Sequence, residues 1–204
     1  MTPGSVGAPG PTAVDDLALA VRCAGGERAA QRELFRREGG RVHAILYRLL
    51  GSNNEMEDLV QEAFLAIFRS LKGFRGEATL GTWIDRITTR VACAYLARKR
   101  PAAAPLEAVP EAAADVPSGE RWVEAREAAR RLYRVLDRLE TRQRTAFVLH
   151  VLHGRPLREV ARIMEASLIA TKTRVWRARR VIETYARREP TLAAYVTGTS
   201  PGTS

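Results

Sequence analysis

Cysteine and histidine are both scarce in this chain. Its two cysteines, Cys23 and Cys93, stand 70 positions apart in 204 residues, and there are only three histidines. With no CxxC or HxxxH spacing, a zinc framework and a disulfide scaffold are both excluded. No apolar run approaches the ~18 residues that a membrane-crossing helix needs. The opening MTPGSVGAPGPT has neither a basic start nor an apolar stretch, so no signal peptide is expected. Acid is the other shortage: 23 Asp+Glu face 33 Lys+Arg, a net charge of +10. A chain with 46% hydrophobic and 27% charged residues is ordinary globular material, and its length allows one or two small domains. These features describe a soluble, intracellular, basic protein. Its surplus charge suits a polyanion, nucleic acid before a membrane surface.

Three stretches carry no apolar periodicity: residues 1–12, the Pro/Ala-rich PAAAPLEAVPEAAADVPSG, and the end of the chain. The expected organisation is therefore an unstructured start (1–12), a helical domain (13–100), a flexible Pro/Ala-rich linker (101–120), a second helical domain (121–187) and an unstructured tail (188–204). The fold class is all-α, two small helical domains on a tether. In the first, helices are expected at Val14 to Cys23, Glu27 to Glu38 and Arg41 to Leu50, with Gly39-Gly40 separating the last two. The best-defined helix runs from near Asn54 to Leu71, where Met56, Leu59, Val60, Ala63, Phe64, Ile67, Phe68 and Leu71 recur at steps of three and four. Its other side carries Asp58, Gln61, Glu62, Leu65 and Arg69. A solvated face explains the charges, and the leucine among them favours a protein-binding surface.

Gly73 ends that helix, and Phe74-Arg75-Gly76-Glu77-Ala78-Thr79 forms a loop. Thr82 or Gly81 is expected to cap the next helix, which carries Trp83, Ile84, Ile87, Val91, Tyr95 and Leu96 among Arg86, Arg90, Arg98, Lys99 and Arg100. Rings beside a loop followed by spaced arginines suit unpaired nucleic acid, which stacks on the rings and lays its phosphates on the guanidinium groups. Burial of Phe74 and Trp83 in the core explains the rings equally well.

The second domain reads as a helix to about Glu140, a second capped by Thr141 and closed by Gly154, a short third opened by Pro156, and a last helix from Leu168 capped by Ser167. Two helices joined by a three-residue turn, the second basic, form a helix-turn-helix. From Leu168 to Arg188 seven basic residues face one acid, so +6 of the +10 lies on one element. A solvated face ordinarily alternates signs, and contact with DNA is the better reading.

At this point the motifs resemble those of the extracytoplasmic-function (ECF) branch of the sigma-70 family, whose members keep only regions 2 and 4. Glu57-Asp58-Leu59-Val60-Gln61-Glu62-Ala63-Phe64 is similar to the family's polymerase-binding helix. Phe74-Arg75-Gly76 with Trp83-Ile84 and Arg86-Ile87 is similar to its promoter-melting segment. Gln143-Arg144 and Ala146-Phe147, with Arg174-Val175 and Arg177-Ala178-Arg179, are similar to region 4. The resemblance implies a non-enzymatic protein without metal or cofactor, cytoplasmic and nucleoid-associated, that directs core RNA polymerase to promoters. It implies core-binding residues Asp58, Leu59, Gln61, Glu62, Leu65 and Arg69, docking on the clamp helices of the largest subunit, with the flap of the second-largest subunit as a further contact. It implies that Lys72, Phe74, Arg75, Gly76, Thr79, Trp83, Arg86 and Arg90 take up the −10 element as unpaired strand with a flipped base. It implies that Ser167, Lys172, Thr173, Arg174, Trp176, Arg177 and Arg179 meet the −35 major groove. An anti-sigma factor is a further candidate partner.

Three positions depart from the family pattern. Arg90 stands where relatives often carry Asn. Glu165-Ala166-Ser167 replaces a turn that usually begins with glycine, so a Glu is expected to bear backbone strain there. Ala170-Thr171 replaces Thr-Val and leaves a hydroxyl on the apolar face. Two rival readings have weaker support. A helix-turn-helix regulator acting without polymerase gives the Asp58-to-Leu71 helix and the Phe74 loop no purpose. A metal-dependent nuclease built on Glu55, Glu57, Asp58 and Glu62 lacks a histidine or a second acidic cluster to complete it.

Overall fold

The computed structural model describes residues 13–51, 53–99 and 119–187, and these are all helical apart from their connections. The expected linker and both chain ends lie outside the described residues, as do the side chains of Trp122 and Val123. The first domain consists of α1 (Ala13–Ala24), α2 (Arg28–Leu50), α3 (Met56–Ser70), a single 3-10 turn (Leu71–Gly73) and α4 (Leu80–Lys99). The second consists of α5 (Gly119–Leu136), α6 (Thr141–Phe147) running into a π-helical turn (Val148–Leu152), α7 (Leu157–Ile163) and α8 (Leu168–Ala186).

Gly39-Gly40 does not divide α2, contrary to the expectation from sequence. Two mid-helix glycines cost about 1 kcal/mol each relative to alanine. That cost is outweighed because Leu34, Val42, Ile45, Leu46 and Leu49 on one continuous face are fully buried, each contributing roughly 1.5–3 kcal/mol. Helix α3 buries Met56, Leu59, Ala63, Phe64 and Ile67 as its periodicity demands. Val60 and Phe68, at the margin of the stripe, are only half-buried. Helix α4 starts one turn earlier than its sequence suggests. Thr79, not Thr82 or Gly81, is the capping residue: its hydroxyl accepts the Thr82 N–H at 3.2 Å. The carboxylate of Asp16 on α1 accepts the Leu80 N–H at 3.2 Å, an anion at the positive end of a helix. Thr141 is likewise the first residue of α6 and not its cap, which falls on Glu140 without a side-chain bond.

The two domains pack directly on one another, with α4 between α2 and α3 on one side and α6 and α7 on the other. The first half of α4 is therefore largely buried, and Asp85 within it is fully buried. An uncompensated carboxylate there would be severely destabilising. Two arginines compensate it. Arg41 of α2 donates to its two oxygens at 2.6 and 3.0 Å, and Arg155, in the loop before α7, donates to Oδ2 at 2.7 Å. Gly81 makes room for this arrangement, since a Cβ there would lie 2.6 Å from Arg41 Nη1.

The second domain also closes the end of α2. The last carbonyls of a helix have no partner of their own. Here the Tyr133 hydroxyl lies 3.1 Å from the carbonyls of both Tyr47 and Arg48, and the Arg144 Nε–H donates to that of Leu49 at 2.8 Å. A cation at this end complements the helix dipole. Arg144 is almost completely buried and also pairs with Asp137.

Beside it, the Arg48 guanidinium donates to Nδ1 of His153. An imidazole that accepts at Nδ1 must be unprotonated there. Burial and the positive charges of Arg48 and Arg155, with Arg41 behind them and only Asp85 opposing, bring its pKa down to about 4. The native group thus resists a proton that the unfolded histidine takes up near its ordinary value of 6.5. Stability from this site is complete above that value and falls away as pH drops towards 4. The thermal midpoint should fall between pH 7 and pH 5, and this slope should flatten in His153→Gln, whose amide oxygen can accept from Arg48 without titrating. Unchanged slopes in thermal melts of the two proteins would refute the assignment.

Candidate protein and nucleic-acid interfaces

Helix α3 presents Asp58, Gln61, Leu65 and Arg69 to solvent, with Glu62 half-exposed. Leu65 is 53% exposed although its helix buries five residues on the opposite side. Leu59, counted with this face by resemblance, is buried instead and belongs to the core. Glu62 accepts from Arg98 at 3.2 Å, and Glu55 pairs with Lys99 at 3.4 Å, across the gap between α3 and the end of α4. Two of the four acids proposed as nuclease ligands, Glu55 and Glu62, are thus engaged by cations. Among the described residues no group of three or more His, Cys, Asp or Glu is arranged to hold a metal ion.

The 3-10 turn exposes Lys72, and the loop between it and α4 exposes Arg75, Gly76 and Thr79. Gly76 sits at φ 74°, a left-handed conformation that suits glycine. Phe74 is buried and meets the half-buried Trp83 edge-on, ring centroids 5.5 Å apart. Phe74 therefore anchors the loop to the core and offers no stacking face, while Trp83 keeps part of its ring accessible. Arg86 and Arg90 follow one helical turn apart on α4. Both are partly exposed, and both are bound by the carboxylate of Glu165 from the second domain. Nothing in the sequence signalled that pairing, because the partners are 75 or more positions apart.

The helix-turn-helix is formed by α7 and α8. Glu165 has φ 49°, the lone non-glycine residue with positive φ among those described. Around it the Ala166 N–H donates to the Ala161 carbonyl at 2.9 Å and the Glu165 N–H to that of Arg162 at 3.3 Å. This is the bonding of a Schellman ending, whose left-handed position is usually glycine. The strain expected of a Glu at this turn is therefore real. Ser167 then caps α8 by accepting the Ala170 N–H at 3.1 Å. The buried Thr171 hydroxyl donates to the Ser167 carbonyl at 3.0 Å, which satisfies the polar group on the apolar face.

Thr171, Val175, Ala178 and Ile182 bury one side of α8. Lys172, Thr173, Trp176 and Arg177 are exposed on the other, with Arg174 and Arg179 half-exposed at its edges. Trp176 is 57% exposed and lies under the Arg180 guanidinium at 5.2 Å. The sequence reading passed over Ile169, the most exposed large apolar side chain in the described residues at 78%. It shares the face of Lys172, Thr173 and Trp176 at helical spacing, and that spacing was the available signal.

The chain is thus a helical domain with one polar, exposed helix face and a basic loop, followed by a helix-turn-helix domain. These are the two parts that the comparisons identify. Residues 34–101 match Sigma-70 region 2, and residues 129–182 match Sigma-70, region 4. The ECF RNA polymerase sigma-E factor of Haemophilus influenzae is 31% identical over 177 residues, covering 82% of this chain and 93% of its own length. The sigma-E factor of Escherichia coli K12 is 28% identical over 177 residues, covering 82% and 92%. The structure of CnrH in complex with the cytosolic domain of CnrY has a similar fold, with a TM-score of 0.61 at 23% identity, over 85% of this chain and 98% of that one. The chain belongs to the ECF RNA polymerase sigma factors. It directs promoter recognition by RNA polymerase and is not itself an enzyme. Among the described residues no helix is long and apolar enough to cross a membrane.

The cap at Ser167 fixes where the DNA-facing helix begins. Ser167→Ala should cost about 1 kcal/mol, lowering the thermal midpoint by roughly 2–4 °C. A melting curve superimposable on that of the parent would show the cap to be dispensable.

Proposed function

We propose that the exposed side of α3 docks on the clamp helices of the largest polymerase subunit through Asp58, Gln61, Leu65 and Arg69, with Glu62 at its edge. The observation that carries this is Leu65, an apolar side chain 53% exposed inside a charged surface. Such a leucine can become the desolvated centre of an interface whose rim is polar. The second domain then reaches the flap of the second-largest subunit while holding its helix-turn-helix over the −35 element. The chain works in the cytoplasm, at the nucleoid.

In the open promoter, Lys72, Arg75, Gly76 and Thr79 line the loop that receives the flipped −10 base. Trp83 offers its accessible ring edge, and Arg86 and Arg90 hold the phosphates of the unpaired strand. Unstacking that base costs a few kcal/mol, which these contacts offset. At the −35 element, Lys172, Thr173, Trp176 and Arg177 face the major groove, flanked by Arg174 and Arg179, with Ser167 at the helix start where its N-terminus meets the phosphate backbone. Arginine matches guanine O6 and N7, and a bidentate pair discriminates by about 1–3 kcal/mol. Ile169 on the same face suits a thymine methyl group. CnrH is solved with the cytosolic domain of CnrY, and its similar fold supports an anti-sigma factor as regulator of this chain too.

Two substitutions separate these roles. Leu65→Asp should weaken capture by core polymerase roughly tenfold or more while leaving the −35 contact intact. Arg177→Ala should lower discrimination between cognate and substituted −35 elements about tenfold, with core capture unchanged. In transcription reconstituted from core polymerase and a promoter template, equal promoter choice by Arg177→Ala would remove that residue from the −35 site. Failure of the unmodified chain to bind core polymerase would overturn the docking assignment.

A further inference from the structure

We propose that Asp16 of α1 is a positioning residue for the −10 loop: through the Leu80 N–H it fixes where that loop ends and α4 begins, and thereby how selectively the −10 element is read. The inference rests on the assignment of Arg75, Gly76 and Thr79 to the −10 element.

No contact assigned to polymerase or DNA uses α1, yet this helix packs on α2, on the 3-10 turn and on α4. The loop it lies beside has a buried residue at each end, Phe74 and Leu80, and five exposed residues between them. Its path is therefore set by what holds those two ends. At the first, the Phe74 N–H donates to the Leu71 carbonyl at 3.0 Å and the Phe74 ring meets Trp83. At the second, Thr79 caps α4, but a capping side chain reaches the second or third N–H of its helix and not the first. That first N–H belongs to Leu80, which is fully buried and needs an acceptor from the protein. The acceptor comes from 64 positions away, the Asp16 carboxylate at 3.2 Å.

Asp16 is itself held. It is 8% exposed and Glu38 is 7% exposed, and Arg37 donates to both at 2.9 Å. Two nearly buried carboxylates thus share one guanidinium, and the positive end of α4 adds the equivalent of roughly half a charge. Arg37 binds one oxygen of Asp16 and Leu80 the other, so Asp16 cannot turn away from α4 without abandoning its cation. Without this carboxylate the buried amide would stand unpaired, and the first turn of α4 would fray with the loop attached to it. Trp83, whose N–H closes that turn on the Thr79 carbonyl at 3.1 Å, would shift as well. A displaced loop still carries its charges and keeps its hold on phosphate, while its preference among bases is lost.

The test uses the full-length chain with core polymerase, on promoter templates that differ in the −10 element alone or in the −35 element alone. Asp16→Ala should lower discrimination between cognate and substituted −10 elements about fivefold, the lower end of coupling between separate sites, with −35 discrimination unchanged. Asp16→Asn should recover most of it, because its amide oxygen still accepts the Leu80 N–H while Arg37 keeps Glu38. Amide hydrogen exchange at Leu80 should be fast in Asp16→Ala and close to that of the parent in Asp16→Asn. Ile45→Val, which opens a small cavity in the core of α2 and removes no hydrogen bond, gives the baseline for lost stability alone. The positioning role is refuted if Asp16→Ala reads −10 elements like Ile45→Val, if it loses −35 discrimination to the same extent, or if Asp16→Asn fares no better. Arg75→Ala separates the two failures. Loss of −10 discrimination there but not in Asp16→Ala strikes the positioning role alone; loss in neither strikes the loop assignment, and the positioning role falls with it.

Discussion

The arrangement depends on one carboxylate that has no access to water. Asp85 sits on the helix around which both domains are assembled, and two guanidinium groups reach it there. One of them comes from each domain. Breaking such a buried pair typically costs 3–5 kcal/mol, so the charge ties the packing of the first domain to the position of the second. The carbonyls ending α2 reinforce the same dependence, because Tyr133 and Arg144 of the second domain complete them. A hydrophobic interface tolerates sliding; hydrogen bonds to fixed carbonyls and to a buried carboxylate set a single register.

That geometry separates two kinds of function on one small protein. The α3 surface belongs to the first domain alone and stays open to a partner. Arg86 and Arg90 are engaged by Glu165 of the second domain, while the basic side of α8 is solvent-exposed but carried on a domain packed against the first. The exposed side of α3 and the arginines of α4 are therefore set at different levels of availability by the same fold.

The helices were legible in the sequence wherever one side of a helix is buried and the other wet. The α3 stripe and the basic α8 followed directly from periodicity, and so did the cap at Ser167. The family motifs likewise led to the right class of protein. What failed did so for identifiable reasons. Gly39-Gly40 reads as a break because propensity is local, yet burial along the whole of α2 overrides it. Phe74 reads equally as a stacking ring or a core ring, and only its edge-on contact with Trp83 decides. Asp85, Arg155 and His153 were overlooked, and Arg144 was read only as part of a motif, because an isolated charged residue in sequence looks like surface. Their burial comes from contacts between positions 44 to 105 apart. Even the hint in α4, whose stretch from Leu80 to Thr89 carries only two charges, does not say which helix covers it.

Gly81 sets the room in which this network is built. The hydrogen on its α-carbon faces the guanidinium that Arg41 extends towards Asp85, with no space for even a methyl group. Positions 41, 81 and 85 are consequently coupled in space: a side chain at 81 would require the arginine to leave its place on Asp85. The three residues thus share one volume, and a methyl group at 81 would be felt as a displaced ion pair at 85.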